Sequence, residues 1–159
     1  MTSQPAAIRE LMTTRLIDAP PEHVYRIWAE RLGEWWMPRP YTTPRLEIDL
    51  RPGGRFLTVM RTPDGTEMEN EGVFLEVEPN RRIVFTDAFR VGWIPQDTFM
   101  VVILTFEPEG SGTRYTARAR HWSEEALKQH EAMGFHEGWA IVAGQLALLA
   151  EGGSLPEVA

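Results

Sequence analysis

One short block near the start constrains this chain more than any other part of it. An apolar run ends at Ile17, Asp18-Ala19-Pro20-Pro21 follows, and then comes Glu22-His23-Val24-Tyr25-Arg26-Ile27-Trp28. Proline has no N–H to give to a sheet ladder, so a strand cannot run through Pro20-Pro21. The same residue is tolerated in the first turn of a helix, where an N–H would have no partner anyway. The chain therefore switches from strand to helix at a single place. Val24, Tyr25, Ile27 and Trp28 give that helix one apolar face as far as about Arg31. Leu32 to Met37, with the paired Trp35-Trp36, reads as a second short helix or turn, ended by Pro38 and Pro40.

Ahead of this block, Ile8 to Ile17 reads as the first strand. Behind it the pattern is two-residue alternation broken by turns. Leu46, Ile48 and Leu50 alternate with Glu47, Asp49 and Arg51, and Pro52-Gly53-Gly54 turns the chain. Arg55 to Arg61 returns with Phe56, Thr58 and Met60 on one face and Leu57 and Val59 on the other. Pro63-Asp64-Gly65 is a strong turn signal before a strand at Met68 to Val77. Pro79-Asn80 leads into Arg82 to Phe89. A loop with Gly92, Trp93 and Pro95 precedes Thr98 to Phe106, and Glu109-Gly110-Ser111-Gly112 closes a hairpin into Thr113 to His121.

The end is helical. Ser123 stands at an N-cap position with Glu124 and Glu125 behind it. A stripe of Leu127, Glu131, Phe135, Gly138, Val142, Leu146 and Leu149 then recurs about every 3.6 residues, and Gly152-Gly153 ends it. The class is α+β: an antiparallel sheet of about six to seven strands, two short helices after the first strand, and one long C-terminal helix from Ser123 to Ala150. A chain of 159 residues is expected to be one domain, residues 1–159, with its core at about 8–150.

The net charge of −7 argues against nucleic acid as a partner. No run is long enough for membrane insertion. Met1 to Ala7 lacks a signal-peptide pattern, and there is no cysteine for a disulfide or thiolate. A cytoplasmic location is expected.

Several motifs occur in the order of one family, over about Thr13 to Ala150. They are Ala19-Pro20 before Val24 and Trp28, Trp35-Trp36, Arg51-Pro52-Gly53-Gly54, Asp64-Gly65, and Gly72 ahead of Val77-Glu78-Pro79. Gly112-Thr113-Arg114 and Met133-Gly134-Phe135-His136-Glu137-Gly138-Trp139 complete the set. The chain resembles the single-domain relatives of the activator of heat-shock protein 90 ATPase. These belong to the START-like superfamily, with the polyketide cyclases and the birch pollen allergen. The resemblance implies a helix-grip fold, a curved sheet round a long helix, usually with an apolar cavity between them. The superfamily hosts carriers, enzymes and co-chaperones, so function must be argued from the site.

Strand phase and the helical stripe nominate the cavity walls: Phe56, Met60, Phe85, Met100, Val102, Leu104, Tyr115, Ala117, Trp139, Val142 and Ala143. The small residues Ala117, Ala119, Gly138 and Ala143 would leave space. Gly134 and Gly138 signal close approach to the sheet, room for a ligand, or a kink at Gly134. The expected partner is a small apolar molecule, with no metal and no cofactor. A homodimer and a protein partner are left open.

Catalysis would need polar groups inside the cavity. Asp87 shares a phase with Ile83, Phe85 and Phe89, so it is either a desolvated acid or a strand-end acid paired with Arg90 or left in water. His121 shares a phase with Tyr115 and Ala117, so it either sits at a cavity mouth or merely ends the strand. Asp87, Tyr115 and His121 are the set a cyclase- or hydrolase-type enzyme would use. His130 and His136, six apart on a helix, point about 240° apart and do not form a zinc pair. Gly53-Gly54 opens a strand rather than a helix, so it reads as a turn and not as a phosphate cradle. The six tryptophans suit pocket rims or core plugs.

Overall fold

The computed structural model describes residues 8–97 and 100–157. The N-terminal segment 1–7 and the first two positions of the expected strand Thr98 to Phe106 lie outside the described residues.

The strand-to-helix switch occurs where the prolines require it. β1 spans Glu10–Ile17 and α1 spans Pro21–Glu30. The Pro20 carbonyl accepts from the N–H groups of His23 and Val24, which starts the helix without a side-chain cap. Val24, Ile27 and Trp28 are buried. α2, Leu32–Trp35, follows at once. The remaining strands are β2 (Thr42–Ile48), β3 (Arg55–Arg61), β4 (Glu67–Glu78), β5 (Arg82–Thr86), β6 (Phe89–Arg90), β7 (Ile94–Pro95), β8 (Met100–Glu109) and β9 (Gly112–His121).

Seven strands form one antiparallel sheet in the order β1-β9-β8-β5-β4-β3-β2. It curves round the C-terminal helix as the helix-grip fold. The helix rests on β1 and on α1 and α2. Trp28, Trp35, Phe74, Phe106, Ile83, Leu104 and Leu146 are fully buried between these layers. No helix among the described residues is long and apolar enough to cross a membrane.

The convex face is covered differently. Leu57, Val59, Val84 and Ile103 are buried there. Arg45 pairs with Glu69, Arg55 with Glu47, and Arg82 with Glu76 on that face. Exposed pairs like these contribute little as ion pairs. Their aliphatic stems, however, shield apolar surface while the charged ends stay in water.

Three local expectations change. The strand expected at Arg82 to Phe89 stops at Thr86, and β6 and β7 form a separate two-stranded hairpin where a loop was expected. The Thr86 hydroxyl donates to the Met100 carbonyl and accepts from the Ala88 N–H, which turns the chain out of the main sheet. β4 contains a register shift between Phe74 and Glu76. It is why the outward acids change parity from Glu67, Glu69 and Glu71 to Glu76 and Glu78. The helix expected from Ser123 to Ala150 is two helices, α3 (Glu124–Ala132) and α4 (Phe135–Ala150). Gly134 separates them with a φ of 97°, a left-handed conformation that glycine adopts without steric cost. Of the options at Gly134, the structure takes the kink.

Gly53-Gly54 is a turn. The Gly53 N–H donates to the Phe74 carbonyl and the Gly54 N–H to the Arg51 carbonyl, so neither is free for an anion. A Cβ at Gly54 would lie 2.0 Å from the Asp49 carbonyl oxygen, which reserves that position for glycine.

Candidate functional site

Between α4 and the concave face of the sheet lies a cavity of about 490 Å³. Interiors normally close up to crystal-like density, so an opening of this size requires side chains that stop short. Ala117 on β9 and Gly138 and Ala143 on α4 all face it. A Cβ placed on Gly138 would meet nothing within 4 Å. Of the readings weighed for that glycine, the structure takes room rather than close approach. Ala119 is fully buried instead, packed with Leu11 and Phe135 beside the cavity.

The sheet wall is Phe56, Thr58 and Met60 from β3, Phe85 from β5, Met100 and Leu104 from β8, and Tyr115 and Ala117 from β9. The helix wall is Phe135, Gly138, Trp139, Val142 and Ala143. All the wall residues nominated from sequence therefore line the cavity except Val102. Val102 shares the face of Met100 and Leu104 but is fully buried in the core cluster and presents no surface to the cavity. Apart from Trp36, one of the tryptophans assigned to rims or plugs, sequence reasoning missed the rim. Trp36, Met37 and Pro38 close one side, Met68 and Asn70 on β4 another, and His130, Met133 and Gly134 a third. Met68 and Met133 are exposed there.

The rim segment after α2 has no regular structure, so something must hold it. Gln145, in the middle of the apolar α4, does so. Its amide nitrogen donates to the carbonyls of Trp35 and Met37 at 2.9 and 2.8 Å. Its amide oxygen accepts from the Arg39 N–H at 3.0 Å. One buried side chain thus satisfies three backbone groups that would otherwise lie unpaired against the helix.

The aromatic lining continues into the core. Trp36 lies 5.4 Å from Phe56 and 6.0 Å from Phe85, and Phe56 lies 4.7 Å from Phe85 between ring centroids. On the helix side Phe135 and Trp139 lie 4.6 Å apart. The tryptophans thus serve both roles: Trp28 and Trp35 are buried plugs, while Trp36 and Trp139 are walls.

Asp87 lines the cavity just beyond β5. One carboxylate oxygen accepts from the Met100 N–H at 2.9 Å. Burial pushes its pKa up, and that hydrogen bond and the nearby His121 offset part of the rise. His121 ends β9 opposite Met100, and its Nε2 lies 2.8 Å from Nδ1 of His130. Burial pushes both imidazoles below the ordinary histidine value. His121 does not itself line the cavity; His130 does, with its ring against Phe135 and Trp139. His136 turns to Glu131 instead. Among the described residues no group of three or more metal-ligating side chains comes together.

Tyr115 is buried in the wall, and burial pushes its hydroxyl far up from the ordinary value. The indole of Trp28 lies near that hydroxyl and offsets part of the rise. Tyr115 and His121 stand six residues apart on one strand, roughly 20 Å at about 3.3 Å per residue. The structure thus brings Asp87 close to His121 and leaves Tyr115 at a distance. The three do not converge on one reacting atom.

Comparison with known proteins agrees with the fold. The profile of the family described as Activator of Hsp90 ATPase homolog 1-like protein matches residues 18–151. A crystal structure of a protein from Nitrosomonas europaea is similar at 40% identity, covering 87% of this chain and 91% of that one, with a TM-score of 0.83. A Mycobacterium smegmatis protein is similar at 27% identity, covering 91% and 95%, with a TM-score of 0.75. The AHSA1 protein of Silicibacter pomeroyi, at 23% identity, covers 87% and 94% with a TM-score of 0.67, a likeness of fold alone. No curated protein matches the sequence.

Proposed function

This chain belongs to the family of Activator of Hsp90 ATPase homolog 1-like proteins, and from that premise we propose that it binds a small apolar or aromatic molecule between the sheet and α4. The observation that carries the reading is the cavity of about 490 Å³. Drug-sized ligands occupy pockets of about 300–1,000 Å³ with apolar walls and a few polar groups. Five of the seven methionines in the sequence, Met37, Met60, Met68, Met100 and Met133, line it. Methionine is unbranched and polarizable, so it adapts to the shape of an apolar guest. An enzyme reading has less support, because Tyr115 lies far along β9 from His121.

Trp36 and Trp139 line the cavity, so indole fluorescence reports on its occupancy. A titration against a panel of apolar and aromatic compounds is expected to give saturable quenching with at least one of them. A flat response across the panel, together with a Gly138→Leu variant as stable as the wild type, would leave an unused void and count against the reading.

A further inference from the structure

The lining of the cavity is electrically one-sided. Among the described lining residues there is no lysine and no arginine. Two carboxylates border it, Asp87 and Glu71. Glu71 pairs in register with Leu57 on the convex face, and its carboxylate lies 4.0 Å from Arg55. Asp87 therefore supplies the negative charge of the interior. One of its oxygens accepts from the Met100 N–H. His121 near it, and His130 against His121, are held toward the neutral form by burial.

A guest filling this space removes water from Asp87. A neutral hydrocarbon would strip water from the carboxylate and return neither hydrogen bond nor charge, and an anion would add repulsion. A guest with its own positive charge replaces the lost water. The walls suit such a guest as well. Phe85 stands two residues before Asp87, with Phe56 and Trp36 around it, and aromatic faces attract cations. The net charge of −7 over the whole molecule favours the approach of cations and opposes that of anions.

From this placement we infer that the cavity selects organic cations: an aromatic amine whose ammonium group meets Asp87 and whose apolar body lies among Phe56, Phe85 and Trp139. The inference rests on the ligand-binding reading above and narrows it to a charge class.

The test uses three probes of one shape, naphthylmethylamine, naphthylmethanol and naphthoate, titrated calorimetrically into the full chain. The pH is held at about 8, above the ordinary carboxylate and histidine ranges. The amine is expected to bind at least about tenfold more tightly than naphthoate, a factor worth about 1.4 kcal/mol. In Asp87→Asn the amide oxygen still accepts from Met100, so the turn is kept. This variant is expected to lose most of the amine's advantage over naphthylmethanol and naphthoate. Naphthoate binding as tightly as the amine overturns the charge preference, and so does an Asp87→Asn variant with an undiminished amine preference. In either case binding of naphthylmethanol leaves the broader reading standing. Failure of all three probes to bind overturns both.

Discussion

Gln145 carries more of the site's architecture than its single position suggests. Its three hydrogen bonds fix the backbone of Trp35, Met37 and Arg39, and so place Trp36 and Met37 on the rim. Gln145→Leu is nearly the same size but leaves those groups unpaired. At about 1–3 kcal/mol for a buried group left unsatisfied, the variant is expected to lose a few kcal/mol in a denaturant melt. Its Trp36 emission should shift toward that of a water-exposed indole. A loss below about 0.5 kcal/mol would mean that the rim holds itself. The sequence hid this residue, because a glutamine among alanines and leucines on a helix reads as one polar break in an apolar face. Its three partners lie more than a hundred residues away. Asp87 was legible because alternation along one strand put an acid among Ile83, Phe85 and Phe89. Its hydrogen-bond partner, Met100, was not.

At the scale of elements, alternation along β9 sorts its side chains between two faces. Tyr115, Ala117 and Ala119 are buried on the concave side, and Arg114, Arg118 and Arg120 pair with acids on the other. Arg118→Leu is expected to change stability by no more than about 0.5 kcal/mol. Ala117→Arg drives a guanidinium into an apolar wall and is expected to cost several times that. Equal losses in chemical denaturation would refute the assignment of faces. α3 is the other informative element. None of its residues is fully buried, and His130 joins it to β9 through His121. Both imidazoles have folded-state values lowered by burial from the ordinary 6.5. The unfolded chain therefore takes up their protons first as pH falls. Their contribution is complete above about pH 6.5 and declines below it, down to the folded-state values. Asp87, raised by burial, acts in the opposite sense at lower pH, since its folded form binds the proton more readily. Melting temperatures of wild type and His130→Asn are thus expected to converge as the pH is lowered from about 8 to about 5. Parallel curves would show that the pair does not titrate with folding.

Over the whole molecule, the cavity sets what the fold can tolerate. A leucine at position 143 would overpack a filled interior at a cost of about 1–3 kcal/mol. Ala143 lines open space, so Ala143→Leu is expected to melt within about 1 kcal/mol of the wild type. It should also abolish binding of any compound that quenches Trp36 and Trp139. A marked loss of stability without ligand would mean that α4 and the sheet close on each other in solution. Carrier and enzyme readings would then both give way to a protein acting through its surface.

The sequence by itself determined the order of the main-sheet strands and of α1 and α2, the faces of the strands and much of the cavity wall, but neither the β6–β7 hairpin nor most of the rim. Those features follow from local rules: proline supplies no donor to a ladder, side chains alternate along a strand, and apolar residues recur along a helix. Even the register shift in β4 left a trace, in the change of parity between Glu71 and Glu76. What only the tertiary structure decided depends on residues meeting from distant parts of the chain. The break at Gly134 was one of three readings of a glycine, and docking α3 and α4 separately on the sheet selected it. Val102 has the phase of a wall residue, yet the packing around it leaves it no surface on the cavity. The pairing of His121 with His130 needed the end of a strand and the end of a helix to be brought together. Periodicity assigns each residue a face, whereas depth within that face, and the neighbour across it, are set by how whole elements pack.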